Sequence, residues 1–494
     1  MADIGLVDVS VRDGNQSLWG ATGLSTAQML AIAPVMERVG FRALDFTSST
    51  HMGIAVRTFR EDPWQCIRLM KKAMPRTPLQ FIGTGFRFIS WETAGRDFMR
   101  LVYRRLIANG ISRFIVLDPM HDMDALLEVA AIIKQEGGAD VEVMAALTYT
   151  VSAVHDDRFY AGIAAKAAAS PHVDLLYLKD PAGILQPARA RTLLPAIRSL
   201  LDDKPLELHA HCTIGLAPLN YLVAADLRID ALHTAAGALA SGTSLPSATQ
   251  TIANLREAGH TVDVDEEALR AVCDYFTRLA DAEGLPHGAP REYDASFLRH
   301  QLAGGVMTTL KRQLAEIGLE GRLPEVIDEL EQVRAELGYP IMVTPFPQIV
   351  CAQAFCNVVK GERYSQIPDQ VIRYTLGRFG RTTGEIDPDV KDRILDNPRA
   401  RTIMKEPPAF SLEDKRKAHP GVKSDDEFLL RAVMPAEQVD AMLQADRTPR
   451  AYNPDARPVQ RLLEGLRDRP PLGEIVIEKP GFRLELRSRM ATSV

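Results

Sequence analysis

The sequence predicts an α/β fold, a (β/α)8 TIM barrel followed by a mostly α-helical domain and a short C-terminal β-hairpin tail. Short β-rich segments alternate with helical patterns over about the first 250 residues, as expected for eight parallel strands. After about residue 290 the pattern becomes helical. Residues 473–489 alternate around a Lys-Pro-Gly-Phe sequence, which is typical of a hairpin.

The predicted strands are rich in β-branched and aromatic residues. They are 4–10, 42–46, 79–83, 113–117, 141–147, 174–178, 206–210 and 230–234. Between them apolar residues recur at helical spacing, as in 26–40 and 124–137. A doubly wound open sheet is the competing architecture. The barrel is favoured because no G-x-G-x-x-G motif follows the first strand.

These patterns divide the chain into three regions. We expect the barrel in residues 1–290, the helical domain in 291–440, and a linker with the hairpin tail in 441–494. Residues 445–471 carry many Pro, Arg and Asp residues and one short predicted helix, 459–467, which indicates a linker.

Composition excludes several classes of protein. The net charge of −6 over 494 residues does not favour nucleic acid or a membrane surface as a partner. Five cysteines without a C-x-x-C pair argue against a disulfide framework. The N-terminus lacks the order of a signal peptide, and no stretch of about 18 apolar residues occurs. We therefore expect a cytoplasmic protein without membrane insertion.

Polar residues cluster where strands end, which is where barrel enzymes place their active sites. Asp13 follows the first predicted strand, and His209 and His211 come from the seventh. Since side chains alternate along a strand, H-x-H places both rings on one face. Two imidazoles and a carboxylate with an open position suit a catalytic divalent metal. A structural, hydrogen-bonded role for each histidine is the alternative.

Lys179 follows the sixth predicted strand, and its ammonium would repel a cation. Three interpretations are open: a salt bridge to a neighbouring carboxylate, a Schiff-base amine, or a carbamate made with CO2, which offers anionic oxygens. Spacing alone favours the salt bridge.

Longer motifs connect the chain with a known family. They are VRDGNQSL (11–18), REDPWQCIRLMKKAMPRTPLQ (60–80), YTVSAVH (149–155), YLKDPAGIL (177–185), LHAHCTIG (208–215), GTSLPSATQ (242–250), HQLAGGVMTTL (300–310) and VTPFPQIVCAQAFCNVVKGERY (343–364). Through them the chain resembles the carboxyltransferase component of biotin-dependent enzymes, namely pyruvate carboxylase, the oxaloacetate decarboxylase α subunit and the central transcarboxylase subunit. These enzymes belong to the metal-dependent barrel superfamily of hydroxymethylglutaryl-CoA lyase.

The resemblance implies a divalent metal, Zn²⁺ or its relatives Mn²⁺ and Co²⁺. Its ligands would be Asp13, carbamylated Lys179, His209 and His211. A carbamate ligand removes the repulsion that an ammonium would exert on the cation.

The resemblance also implies the reaction. A carboxyl group moves between carboxybiotin and a 2-oxo acid or similar enolizable acceptor, through a metal-assisted enolate. Thr243 maps onto the threonine that shuttles a proton, although a loop-capping hydroxyl is the alternative. Lys179 and Asp180 are the other catalytic candidates. Arg12 and Gln16 would orient the substrate, since a planar guanidinium matches a carboxylate.

The acceptor pocket departs from the family pattern. Asn15 replaces the histidine of the family's R-D-A-H-Q-S motif, and the segments 47–53 and 84–88 differ from the family's sequences there. His51, Arg87 and His121 are the candidate replacement contacts, with simple surface solvation as the alternative. We therefore expect either an acceptor other than pyruvate or a strongly altered pyruvate site.

Biotin is expected on a separate carrier protein, because no A-M-K-M biotinylation motif occurs. The expected partners are therefore a biotin carrier protein, a biotin carboxylase subunit, a small 2-oxo acid and further copies of the chain. Two rival hypotheses are a biotin-free metal-dependent aldolase or lyase, which R-D-G in place of R-D-A favours, and a non-catalytic scaffold. The EDPW segment (61–64) and the helical domain favour the carboxyltransferase.

Overall fold

The structure, a computed structural model, describes residues 2–302, 304–445, 451–454, 474–479 and 482–487. Eight parallel strands form a closed barrel in chain order, in which the eighth strand pairs with the first. The strands are β1 (Gly5–Asp8), β2 (Ala43–Ser48), β3 (Leu79–Thr84), β4 (Arg113–Leu117), β5 (Glu142–Thr148), β6 (Leu175–Asp180), β7 (Leu206–Ala210) and β8 (Ala231–Thr234). All eight predicted strands are confirmed.

Helices surround the barrel. They are α1 (Asn15–Trp19), α2 (Thr26–Val39), α3 (Ser49–Ile54), α4 (Pro63–Ala73), α5 (Arg96–Asn109), α6 (Met123–Gly137), α7 (Asp157–Ala168), α8 (Pro187–Arg198), α9 (Ala217–Asp226), α10 (Ala248–Glu257) and α11 (Glu266–Glu283). Helix α2 begins where it does because Ser25 caps its N-terminus and forms a reciprocal capping box with Gln28. Two π-helical turns, Ser10–Gly14 and Ala55–Phe59, and two 3-10 turns, Gly138–Asp140 and Gly237–Leu239, complete this region.

The rest of the described chain is helical, as predicted. Its helices are α12 (Phe297–His300), α13 (Gly304–Glu316), α14 (Leu323–Glu336), α15 (Phe346–Lys360), α16 (Asp369–Thr375), α17 (Pro388–Leu395), α18 (Pro398–Met404), α19 (Leu412–Ala418), α20 (Asp425–Val433) and α21 (Ala436–Gln444), with a 3-10 turn at Glu320–Arg322. Apolar side chains between 302 and 403 form a core of their own. Phe428 and Met442 instead join the barrel core. The division at residues 290 and 440 stays a prediction.

The loop after β5 fastens the helical region to the barrel. The buried Arg334 of α14 donates to the carbonyl oxygen of Val151 at 2.9 Å and to the hydroxyl of Thr150 at 2.8 Å. Gln301 donates to the same carbonyl at 2.7 Å. Because Arg334, Thr150 and Gln301 are buried, each bond also satisfies a polar group that would otherwise be costly to bury.

The predicted hairpin is confirmed. Its strands β9 (Glu474–Lys479) and β10 (Phe482–Arg487) pair antiparallel, with Lys479 opposite Phe482. The helix predicted at 459–467 lies outside the described residues. Among the helices of the described ranges, none combines the length and the apolar composition needed to cross a lipid bilayer.

Candidate active site

The carboxyl ends of three strands bring the predicted ligands together. Asp13 lies in the π-helical turn that follows β1. Lys179 of β6 and His209 of β7 are direct partners in the parallel register. His211 lies two residues further on, so that it emerges on the same face as His209. All four residues are buried.

The functional atoms of these four side chains form one cluster. Lys179 Nζ lies 3.1 Å from Asp13 Oδ2 and 3.2 Å from His209 Nε2. His209 Nε2 lies 3.1 Å from both Asp13 Oδ2 and His211 Nε2. The ligand atoms of Asp13, His209 and His211 all lie within 4.8 Å of one another. Imidazole nitrogens and a carboxylate oxygen at this spacing fit a divalent cation.

The outer ring nitrogens of both histidines have partners. His211 Nδ1 lies 2.8 Å from the carbonyl oxygen of Thr243, so Nδ1 carries a proton and donates it. His209 Nδ1 lies 3.3 Å from His233 Nδ1. Such contacts fix the orientation of the ring and leave Nε2 with a lone pair for a metal.

Electrostatics favour an ionised Asp13 and a reactive Lys179. Burial opposes the charge of Asp13, but Arg12 and Lys179 hold the pKa of Asp13 well below its usual range. Burial lowers the pKa of Lys179, with the charge of Asp13 opposing that effect. A lowered pKa increases the share of neutral amine, the form that reacts with CO2. The ion pair to Asp13 matches the salt-bridge interpretation, and the carbamate stays a prediction.

Arg12 is held by two carboxylates. Its Nε donates to Asp45 Oδ2 at 2.9 Å, its Nη2 donates to the same oxygen, and its Nη1 donates to Asp13 Oδ2 at 2.7 Å. These bonds use three of the five guanidinium protons, which leaves two protons without a bond to these carboxylates. The sequence-based hypothesis had missed Asp45, although a charged residue within the apolar strand β2 was a usable signal.

Two adjoining cavities open above the cluster. The first has a volume of about 200 Å³. Its lining includes Arg12, Asp13, Lys179 and His211, the hydroxyl-bearing Ser48, Ser49, Thr50 and Thr84, and Val306, Met342, Val343, Thr344 and Pro347 of the helical region. The second, of about 730 Å³, contains Thr243 and shares Gln16, His211 and Thr344 with the first. The helical region therefore closes the barrel mouth, a role that the sequence-based hypothesis had not assigned to it.

Thr243 and Asp180 have contacts of their own. The hydroxyl of the half-buried Thr243 donates to the carbonyl oxygen of Ser17 at 2.8 Å. Asp180 accepts the backbone N–H groups of Ile184 and Leu185 at 3.0 and 2.7 Å. Burial raises the pKa of Asp180 to about 6. Thr243 thus lies beside the cluster, whereas Asp180 stabilises the loop after β6 through these two hydrogen bonds.

None of the three candidate replacement contacts lines the 200 Å³ cavity. His121 Nε2 accepts the backbone N–H of Thr148 at 3.0 Å. His51 Nδ1 lies 2.9 Å from the Ser48 hydroxyl, and its ring lines a separate, mostly apolar cavity beside α4. Arg87 donates to the carbonyl oxygen of Arg378 at 3.1 Å and lies over the ring of Phe379. Their role in substrate binding stays a prediction.

Comparisons with known proteins identify sequences similar to this chain. A family profile described as "Conserved carboxylase domain" matches residues 297–468. A pyruvate carboxylase subunit of Methanocaldococcus jannaschii is 31% identical over 436 residues, which cover 87% of this chain and 76% of the relative. The 2-oxoglutarate carboxylase large subunit of Hydrogenobacter thermophilus is 28% identical, over 90% of this chain and 68% of its own.

A solved structure supports the fold. The carboxyl transferase domain of Rhizobium etli pyruvate carboxylase superposes with a TM-score of 0.82 at 22% identity, covering 99% of this chain and 84% of the domain. These similarities support the carboxyltransferase hypothesis and not the biotin-free aldolase or lyase. The chain belongs to the carboxyltransferase family of the biotin-dependent carboxylases, together with the pyruvate carboxylase subunit of Methanocaldococcus jannaschii.

Proposed function

We propose that the chain transfers a carboxyl group between carboxybiotin, held on a separate carrier protein, and a 2-oxo acid bound at the barrel mouth. The observation that carries the proposal is the convergence of Asp13, Lys179, His209 and His211 beside a cavity that also contains Arg12. The cluster thus provides metal ligands. The cavity beside it provides the positively charged guanidinium of Arg12 for the acceptor's carboxylate.

The metal ligands are proposed to be Asp13, His209, His211 and a carbamate on Lys179, with Zn²⁺ as the ion and Mn²⁺ or Co²⁺ as substitutes. A bound divalent cation would act as a Lewis acid and stabilise negative charge that develops on the acceptor's oxo group. The neutral form of Lys179 that burial favours supports carbamate formation.

Arg12 and Gln16 would position the acceptor. The two unused guanidinium protons of Arg12 suit a carboxylate, and its bonds to Asp13 and Asp45 hold the group rigidly. Gln16 lines both cavities and is exposed, so its amide is available to a ligand in either of them. The hydroxyl groups of Ser49, Thr50 and Thr84 supply further neutral hydrogen-bonding groups around the acceptor.

Thr243 is proposed to move the proton. In the carboxylation direction the N–C bond of carboxybiotin breaks, CO2 is released, and a new C–C bond joins it to the acceptor. The acceptor carbon gives up one proton and the biotin nitrogen gains one, so a single hydroxyl that passes the proton on balances the reaction. The position of Thr243 in the 730 Å³ cavity, beside His211, supports this role.

The partners are proposed from the relatives. Both relatives described above are named as subunits of a carboxylase, which supports an assembly with a biotin carrier protein and a biotin carboxylase. The 730 Å³ cavity would admit the carrier's biotin, because it reaches Thr243 and His211. Self-association into a dimer or larger oligomer stays a prediction.

Replacement of Lys179 tests the metal centre. We expect Lys179→Ala to lower the metal content of the purified protein, measured by inductively coupled plasma mass spectrometry. Lys204→Ala is the control, because Lys204 is partly buried and donates to the carbonyl oxygens of Ala168 and Ser170, away from the cluster. Equal metal in both variants and the wild type would contradict the carbamate.

An assay of the reverse reaction tests the transfer. We expect free biotin to stimulate decarboxylation of at least one member of a panel of 2-oxo dicarboxylic acids. The wild-type protein with its metal and the same protein after chelation are compared. A rate that biotin leaves unchanged for every acid would overturn the proposed function.

A further inference from the structure

A polar layer lies behind His209 in the barrel interior. His209 Nδ1 lies 3.3 Å from Nδ1 of His233 on β8, and His233 Nε2 lies 3.1 Å from Oε2 of Glu207 on β7. All three side chains are fully buried, with an exposed fraction of 0%. The other oxygen of Glu207 accepts from Arg113 Nη2 at 2.6 Å. This set, Glu207–His233–His209, forms a continuous chain of contacts.

The chemistry of each member determines the direction of these hydrogen bonds. Glu207, paired with the guanidinium of Arg113, is a carboxylate and only accepts. A neutral His233 then carries its proton on Nε2, which leaves a lone pair on Nδ1. His209 must donate to that lone pair through Nδ1, so its Nε2 is left unprotonated and faces Asp13.

Aromatic packing holds the two rings in this arrangement. Tyr177 of β6 packs against both, with ring centroids 4.9 Å from His233 and 5.4 Å from His209. Because these side chains are fully buried, a wrong tautomer would leave two N–H groups facing each other without acceptors, which is costly.

We propose that His233 and Glu207 are positioning residues for the metal centre, which set the tautomer of His209 and thereby the availability of its Nε2. The inference rests on the proposed metal centre. It adds two residues that touch neither the metal nor the substrate. They act only through His209, whereas His211 is oriented in the same way by the main-chain oxygen of Thr243.

The test is the affinity for a divalent ion, measured with Zn²⁺ alone by competition with a chelator and with Co²⁺ alone by its visible absorption. We expect His233→Leu to weaken both affinities about 10- to 100-fold, as for other partners of metal-bound histidines. We expect His233→Asn to bind close to the wild-type value, because its side-chain oxygen occupies nearly the position of Nδ1 and accepts the same proton. His260→Leu is the control, since His260 is a buried histidine paired with Asp226 at 3.3 Å, away from the site.

The outcomes distinguish the positioning role of His233 and Glu207 from the metal centre on which it rests. Weak binding by His233→Leu with recovery in His233→Asn supports the positioning role. Wild-type affinity in folded His233→Leu, or equally weak binding by both variants, overturns the positioning role but does not contradict the metal centre.

If His233→Leu does not fold, Glu207→Gln replaces it, because an amide that donates to His233 favours the opposite tautomer and should weaken metal binding. Wild-type affinity in Glu207→Gln would then overturn the role. A wild-type protein that binds neither ion overturns the metal centre and this inference together.

Discussion

His211 donates its Nδ1 proton to the main-chain oxygen of Thr243, across 2.8 Å. One short loop therefore orients a proposed metal ligand through its backbone and presents a proposed proton shuttle through its side chain. Because the two functions use different atoms of Thr243, they can be separated by substitution.

Thr243→Ala should lower kcat for carboxyl transfer by about 10²- to 10⁴-fold, the usual contribution of a positioned proton donor and acceptor. The metal content should not change, because the carbonyl oxygen that holds His211 is retained. Steady-state kinetics and metal analysis of the same preparation check both statements. Thr243→Ser keeps the hydroxyl and should retain most of the activity. Wild-type kcat in the alanine variant would contradict the shuttle.

The buried ion pair between Arg12 and Asp45 should be sensitive to loss of one partner. Asp45→Ala leaves the guanidinium with fewer compensating charges in a site where Arg12 is almost fully buried. We expect the free energy of unfolding to fall by about 3–5 kcal/mol, measured by urea denaturation. The double variant Arg12→Met with Asp45→Leu should recover much of this stability but should not transfer carboxyl groups. A double variant as unstable as Asp45→Ala would show that packing, and not charge, dominates.

Asp180→Asn tests whether this residue acts on the loop or on the reaction. An asparagine can accept only one of the two backbone N–H groups, from Ile184 and Leu185, that Asp180 accepts. The unpaired N–H should cost about 1–3 kcal/mol of unfolding free energy. Metal content and the KM for the acceptor should stay unchanged. A fall of kcat in the folded variant would instead support the catalytic role predicted from the sequence.

His121 should make the protein less stable in acid. Burial lowers the pKa of His121 to about 3, from a usual value of 6.5. Between these values the unfolded chain binds the proton and the folded chain does not, so the stability present above pH 6.5 is lost as the pH falls.

His121→Gln is the matched variant, because its side-chain oxygen can still accept the N–H of Thr148 that His121 Nε2 accepts at 3.0 Å. Over this range its unfolding free energy should depend less on pH, by up to about 1.4 kcal/mol per pH unit. Urea denaturation at several pH values measures the two slopes. Equal slopes would show that His121 does not titrate on unfolding.

Much of the fold could be predicted because the local pattern and the tertiary structure agree. The strands of the barrel are buried on both faces, so they appear as short apolar runs between amphipathic helices. The H-x-H spacing of His209 and His211 predicted a shared face, since a strand alternates with period two. Lys179 lies opposite His209 in the register, because consecutive parallel strands of a barrel end at the same rim.

The partners of these residues could not be predicted in the same way. Asp45, Glu207 and His233 are single polar residues within apolar strands, and the sequence does not show which strand faces which across the barrel interior. Met342 and Thr344 line the 200 Å³ cavity. They belong to a helical region that follows His211 by more than a hundred residues. The contacts of Arg87 with Arg378 and Phe379 likewise depend on how that region packs on the loop after β3.

The sequence by itself determined the barrel, the helical region, the hairpin and the four residues proposed to hold the metal, because periodicity and short motifs are local properties of the chain. Only the tertiary structure decided which atoms of these residues meet. It paired Arg12 with Asp45, directed His209 toward His233 and closed the barrel mouth with helical residues. These contacts join segments that are distant in sequence, and their geometry follows from the closure of the barrel and the packing of the helical region upon it.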